Sequence, residues 1–216
     1  MANYQREAHV IIRTALAACV GAALAVSAVA QGPVRVRGTI EQVDGPVVTV
    51  VTAMGEKMPI ALAPDASVMA ILKSSVADIQ PGSFVGATAL PEPDGSWKAV
   101  EVHIFPESMR GTGEGDRPYD YKPKSTMTNG TVRTLTKSSL GGTVDKADSG
   151  TISIAYKDGE KRIVITPETI IVHYEPAQRD DLKPGAKVYI SAATKQPDGS
   201  YLTRRINVGR GIAPPM

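Results

Sequence analysis

Beyond residue 30, the side chains best suited to chemistry are His103, His173 and a run of charged residues between Glu107 and Asp120. Zinc needs three or four converging ligands, and neither histidine has a second one at His-x-His or His-x-x-x-His spacing, so each reads as a surface imidazole. In Val102-His103-Ile104-Phe105 the apolar neighbours would point inward and the imidazole outward. Glu107, Glu114, Asp116 and Asp120 are the carboxylates from which a glycosidase pair could be drawn, which requires a shared cleft. Arg110 and Arg117 flank Gly111-Thr112-Gly113-Glu114-Gly115. Guanidinium groups beside glycine-exposed backbone N–H groups can hold a carboxylate or phosphate. The competing use of these arginines is to pair with the interspersed acids and fix the loop. The glycines lack the strand-to-helix context of a dinucleotide fingerprint and the Gly-Lys-Ser/Thr of a P-loop, and no Gly-x-Ser-x-Gly elbow supports a nucleophilic serine. No catalytic residue, metal site or cofactor is assigned.

These residues sit in a Gly- and Pro-rich stretch, 106–128, whose composition reads as a linker between two domains. Met109, Tyr119 and Tyr121 favour the alternative, an ordered loop packed across both, because mobile linkers seldom carry residues able to bury so much area. Arg110, Arg117, Tyr119 and Tyr121, with Trp97 as a stacking face or hairpin cover, form the candidate surface for a ligand or partner.

The flanking sequence repeats. Gly38-Thr39-Ile40 matches Gly142-Thr143-Val144, and Asp44 matches Asp148, both 104 residues on; Gly55-Glu56-Lys57 matches Gly159-Glu160-Lys161. Pro64 meets Pro167, Asp78-Ile79-Gln80-Pro81-Gly82 meets Asp181-Leu182-Lys183-Pro184-Gly185, and Pro93-Asp94-Gly95-Ser96 returns intact at 197–200, each time before an aromatic, Trp97 or Tyr201. In this pairing His103 stands opposite Asn207. Val34-Arg35-Val36-Arg37, Ile152-Ser153-Ile154 and Lys187-Val188-Tyr189-Ile190 alternate as strands with one buried face do. Asp158-Gly159 and Asp198-Gly199 supply hairpin turns. Short helical turns are expected only at Ser74–Ile79 and Pro176–Leu182, each ahead of a Pro-Gly stop. The fold class is all-β: two tandem small OB-like β-barrels over 31–105 and 129–209, joined by 106–128 and followed by a tail at 210–216, with small β-sandwiches as the runner-up.

The Gly-Thr-Ile start, the Asp-x-x-Pro-Gly, the Pro-Asp-Gly-Ser hairpin and Met109-Arg110-Gly111-Thr112-Gly113-Glu114-Gly115 resemble an uncharacterised family of exported bacterial proteins. That resemblance implies tandem OB-like barrels and export, and no activity.

The first thirty residues read separately. Arg6 and Arg13 precede an apolar run from Thr14 to Val29 that closes on Ala28-Val29-Ala30 before Gln31, the pattern of a signal peptide cleaved after Ala30. The run is too rich in Ala and Gly to be a membrane span. Leu16-Ala17-Ala18-Cys19 spells a lipobox, an alternative that the short stretch from Arg13 and the apolar residues after Cys19 oppose. With 24 basic and 22 acidic side chains, the chain lacks the basic surplus of a nucleic-acid binder. The expectation is a periplasmic or secreted, non-enzymatic module that binds a small ligand or an envelope component, or stiffens an envelope assembly. The alternative is a glycan-acting enzyme using the acids of the middle segment.

Overall fold

Alternating apolar residues dominate the chain after residue 33, and the computed structural model, which describes residues 32–137 and 149–215, turns nearly all of them into antiparallel strands. The signal-peptide region with Cys19, and the Gly142-Thr143-Val144 and Asp148 matches, lie outside the described residues. The strands are β1 (Val34–Asp44), β2 (Val47–Thr52), β3 (Lys57–Lys73), β4 (Phe84–Pro91), β5 (Trp97–Ile104), β6 (Gly115–Pro118), β7 (Thr126–Lys137), β8 (Gly150–Tyr156), β9 (Gly159–Ile165), β10 (Ile170–Ala177), β11 (Lys187–Lys195) and β12 (Tyr201–Gly209). The protein is all-β, as its patterning requires.

The strands close into two rings, and each ring draws on both copies of the repeat. The first runs β1-β2-β3-β12-β11 and back to β1, with β3 and β12 parallel and every other pairing antiparallel. The second runs β7-β8-β9-β5-β4 and back to β7, with β9 and β10 both lying parallel to β5. Strands β4 and β5 of the first copy therefore complete the second ring, and β11 and β12 of the second copy complete the first.

The interiors record the same exchange. Ile40, Val48, Val50 and Ile60 pack with Leu182, Val188, Ile190 and Ile206 in one core, and Val85, Ala87 and Val102 with Ile152, Ile154 and Ile163 in the other. Burying one such aliphatic side chain contributes about 1.5–3 kcal/mol, so each copy depends on the other for much of its core. Pro33–Met216 accordingly form one compact unit.

Strand β3 causes the exchange. Its 17 residues span about 56 Å at ~3.3 Å per residue, more than one small barrel can use. Residues 57–62 belong to the first ring; the strand bulges between Leu62 and Ser67 and its continuation carries the chain to the second ring. There it pairs with β10: Met69 with Pro176, Ile71 with Tyr174, Lys73 with Val172. Moving each residue of β3 forward 103 places, the offset of Pro64 and Pro167, and each of β10 back by as much exchanges the outer two pairs and leaves Ile71–Tyr174 in place. A pseudo-two-fold axis thus passes through that pair.

The expected helical turns are single 3-10 turns, Val76–Asp78 and Arg179–Asp181. The first plugs Val76 and Ile79 into the second core, and Leu182 after the second plugs into the first. Asp78 accepts from the Ser74 and Ser75 hydroxyls and the Ser75 N–H, and these bonds hold its carboxyl below the usual range.

The structure also re-registers the start of the repeat. Gly130-Thr131-Val132 in β7 is the counterpart of Gly38-Thr39-Ile40 in β1: a Cβ at Gly38 would strike the Val51 carbonyl and one at Gly130 the Ala155 carbonyl, and each strand bulges just beyond. The second Gly-Thr-Val, at 142–144, is a sequence coincidence at the prevailing offset; the additional residues of the second copy fall between β7 and β8.

Pieces 32–121 and 122–216, produced separately, should each lack a cooperative thermal transition by circular dichroism and recover one when mixed in equal amounts. A cooperative transition in either piece alone would show that the exchanged strands are dispensable.

Candidate functional site

The middle segment is ordered and strapped to both rings. Glu107–Met109 form a 3-10 turn whose Met109 is buried at the seam with Met69, Ile71, Val172 and Tyr174. Strand β6 then pairs with β7, and Asp116 accepts from the Thr128 hydroxyl at 2.7 Å and from Lys161 Nζ at 3.0 and 3.1 Å. Lys161 also donates to Thr126 Oγ1 and stands 3.4 Å from the centre of the Trp97 ring, so its buried ammonium is fully satisfied. On the other side Asp120 pairs with Arg35 of β1, which lies over the Tyr119 ring.

Between the strap and the seam is a cavity of about 220 Å³. The segment contributes Thr112, Gly113, Arg117 and Tyr119; β1 and β11 contribute Arg35, Tyr189 and Ser191; β12 contributes Arg205 and Asn207. His103 from β5, Asn129 from β7 and Tyr174 from β10 complete the polar wall. Burial pushes the Tyr174 and Tyr189 hydroxyls above their ordinary pKa, with the neighbouring Glu101 and Tyr119 respectively adding to it, so both stay protonated.

Four polar groups of this wall lack a full set of partners among the described residues. Asn129 donates to the Thr112 carbonyl and Asn207 to the Tyr189 carbonyl, each at 3.0 Å, but the Oδ1 of each is buried with no hydrogen-bond partner among the described residues. At 5% and 3% exposure, such orphaned acceptors cost about 1–3 kcal/mol apiece. Arg205 makes no ion pair among the described residues, and Arg117 donates only to the Gly113 carbonyl, at 2.6 Å.

Residues 141–207 match a family described as a domain of unknown function, DUF5666. No curated protein and no solved structure matches the chain. The match spans most of the second copy, from the β7–β8 connection to Asn207, and carries no assigned chemistry. It agrees with the resemblance to an uncharacterised family at that level; the Met109–Gly115 motif lies outside it.

Of the residues singled out in sequence, Arg117 and Tyr119 meet at the cavity. Arg110 does not: it pairs with Glu107 at 2.5 and 2.7 Å, donates to the Gly82 carbonyl and Thr131, and lies over Phe84. Tyr121 is exposed beside Lys122, and Trp97 faces Lys161 on the second ring. His103 corrects the expectation of a surface imidazole. It does point out of its own ring, but the seam covers it to 5% exposure, with Tyr174 and Phe105 edge-on to the imidazole and Glu101 bonded to its Nε2. His173, bonded to Glu175, stays near the surface. Arg35, Asn129, Arg205 and Asn207 escape a reading by motif because each stands alone on a strand, where an outward polar residue signals solvent. Of the acids, Glu107, Asp116 and Asp120 are ion-paired and none lines the cavity, which removes the shared cleft a glycosidase pair needs.

Lys161→Met should destabilise the protein by about 1–3 kcal/mol in urea, less than a fully buried pair because Asp116 stays partly exposed. It should also speed tryptic cutting after Lys124, the bond after Lys122 being protected by Pro123. Cleavage there at the wild-type rate would mean the strap is not held by this lysine.

Proposed function

We propose that the chain is an exported, periplasmic or secreted binding module, acting without catalysis, whose ligand site is the seam cavity under the middle segment. The observation that carries the reading is the gathering of Arg35, Arg117 and Arg205 around one half-open cavity, with Arg205 lacking a counter-ion among the described residues. A guanidinium left without a counter-ion at a cavity is one that a bound anion would pair with. Arg35, Arg117 and Arg205 make the space cationic, which favours a small anion, free or displayed on an envelope component. The volume is below the roughly 300–1,000 Å³ of sites for drug-sized ligands, in keeping with a metabolite-sized group. Binding is favoured over turnover because His103 hydrogen-bonds only Glu101 among the described residues, with no nucleophile on its ring. Export rests on the basic start, the apolar run and the Ala28-Val29-Ala30 ending.

In thermal melts with a panel of two- to four-carbon carboxylates, a binder at a hundred times its Kd should add about 2.7 kcal/mol, or roughly 5–10 °C. Arg205→Gln should abolish that rise and Arg110→Ala should keep it while lowering the starting Tm; a rise that survives Arg205→Gln removes the site. For export, residues 1–40 fused to alkaline phosphatase should give periplasmic activity and a mature N-terminus at Gln31. An acylated Cys19 would establish the lipoprotein alternative, and an inactive fusion retained in the cytoplasm would end the proposal.

A further inference from the structure

The two rings line the cavity from equivalent strands, yet with different chemistry. Arg35 on β1 corresponds, 92 residues on, to Met127 on β7, the offset that relates Gly38 to Gly130. Arg205 on β12 corresponds, 104 residues back, to Glu101 on β5, and Gly209 at the end of β12 to Phe105 just after β5. Glu101 does not line the cavity; it is buried and bonded to the Nε2 of His103. The first ring thus presents two guanidinium groups where the second presents a thioether and a phenyl ring.

The remaining lining sharpens this division. Met109 of the middle segment joins Phe105 and Met127, and Phe105 and Met109 pack with Met69, Ile71 and Val172 in the seam core. Phe105 and Arg205 are each only half-buried, so both keep surface that a bound molecule can cover. Arg117, the third guanidinium, already donates to the Gly113 carbonyl of its own turn. An anion held at the first ring would therefore have an apolar surface beside it, where a methylene gains by leaving water and a second charge would lose its hydration without a partner.

Resting on the binding reading above, we infer that the ligand class is a short amphipathic monocarboxylate, its acid group against Arg205 and Arg35 of the first ring and its apolar end against Phe105, Met127 and Met109.

Acetate, butyrate and succinate test this: butyrate adds two methylenes to acetate, and succinate replaces the butyrate methyl by a second carboxylate. Calorimetry on the full chain should give butyrate about tenfold tighter binding than acetate, since each buried methylene is worth roughly fourfold. Succinate should bind no better than acetate. Phe105→Gln should shrink the butyrate advantage while leaving acetate binding unchanged. The wild-type order decides the matter even if that variant does not fold. Acetate as tight as butyrate, or succinate at least as tight as butyrate, would overturn the inference while sparing the anion site. Binding of none would overturn both. A butyrate preference that survives Phe105→Gln would overturn the assignment of the second ring's wall as the surface that reads the apolar end.

Discussion

The antiparallel contact between the second half of β3 and β10 fixes everything else. Each of these strands must leave its own barrel to make it, and once they do the chain is delivered to the opposite ring with no short route back. The parallel pairings β3–β12 and β5–β10 follow, because the returning strands can only lie alongside the extended arms that brought the chain across. Parallel neighbours need long crossovers, and here the crossover is the other copy's barrel edge. Stability is correspondingly shared: neither core contains enough of its own copy's side chains to close.

The middle segment uses the surface that this exchange creates. It anchors once on the first ring through Arg35 and Asp120 and twice on the second, through Arg110 with the Gly82 carbonyl and through Asp116 with Lys161. Positive φ at Gly111, Gly113 and Gly115 lets the backbone make the tight course between those anchors. Its charges are therefore mostly spent on fastening, and those left over, such as Arg117, line the cavity.

Much of this was legible in the residues, and what was not has a physical reason. Alternation identified the strands; Gly95 and Gly199 adopt the positive φ that Asp-Gly turns announce; the two Pro-Gly stops follow short helical turns. Strand exchange was invisible because hydrophobic alternation says which face a residue buries and not which copy's core receives it. The same blindness hid the site. His103 and Arg205 look like solvent-facing residues of isolated barrels, and become cavity walls only when a second barrel is set against that face. The Gly-Thr-Ile counterpart was misplaced by a decoy in the β7–β8 connection, which only backbone crowding at Gly38 and Gly130 resolves.

The pseudo-axis through Ile71 and Tyr174 has a consequence for how such a molecule can arise. Two separate chains of a single repeat, swapped in the same way, would obey a true dyad, and any charge placed on one side of the axis would meet its own duplicate on the other. A pair of Glu101 carboxylates or a pair of Arg205 guanidinium groups would then confront each other across a shared interior, which is costly in low dielectric. Joining the repeats in one polypeptide lifts that restriction, since each position can mutate without its image. Covalent fusion is thus what permits a polar, directional interior to evolve from a symmetric ancestor.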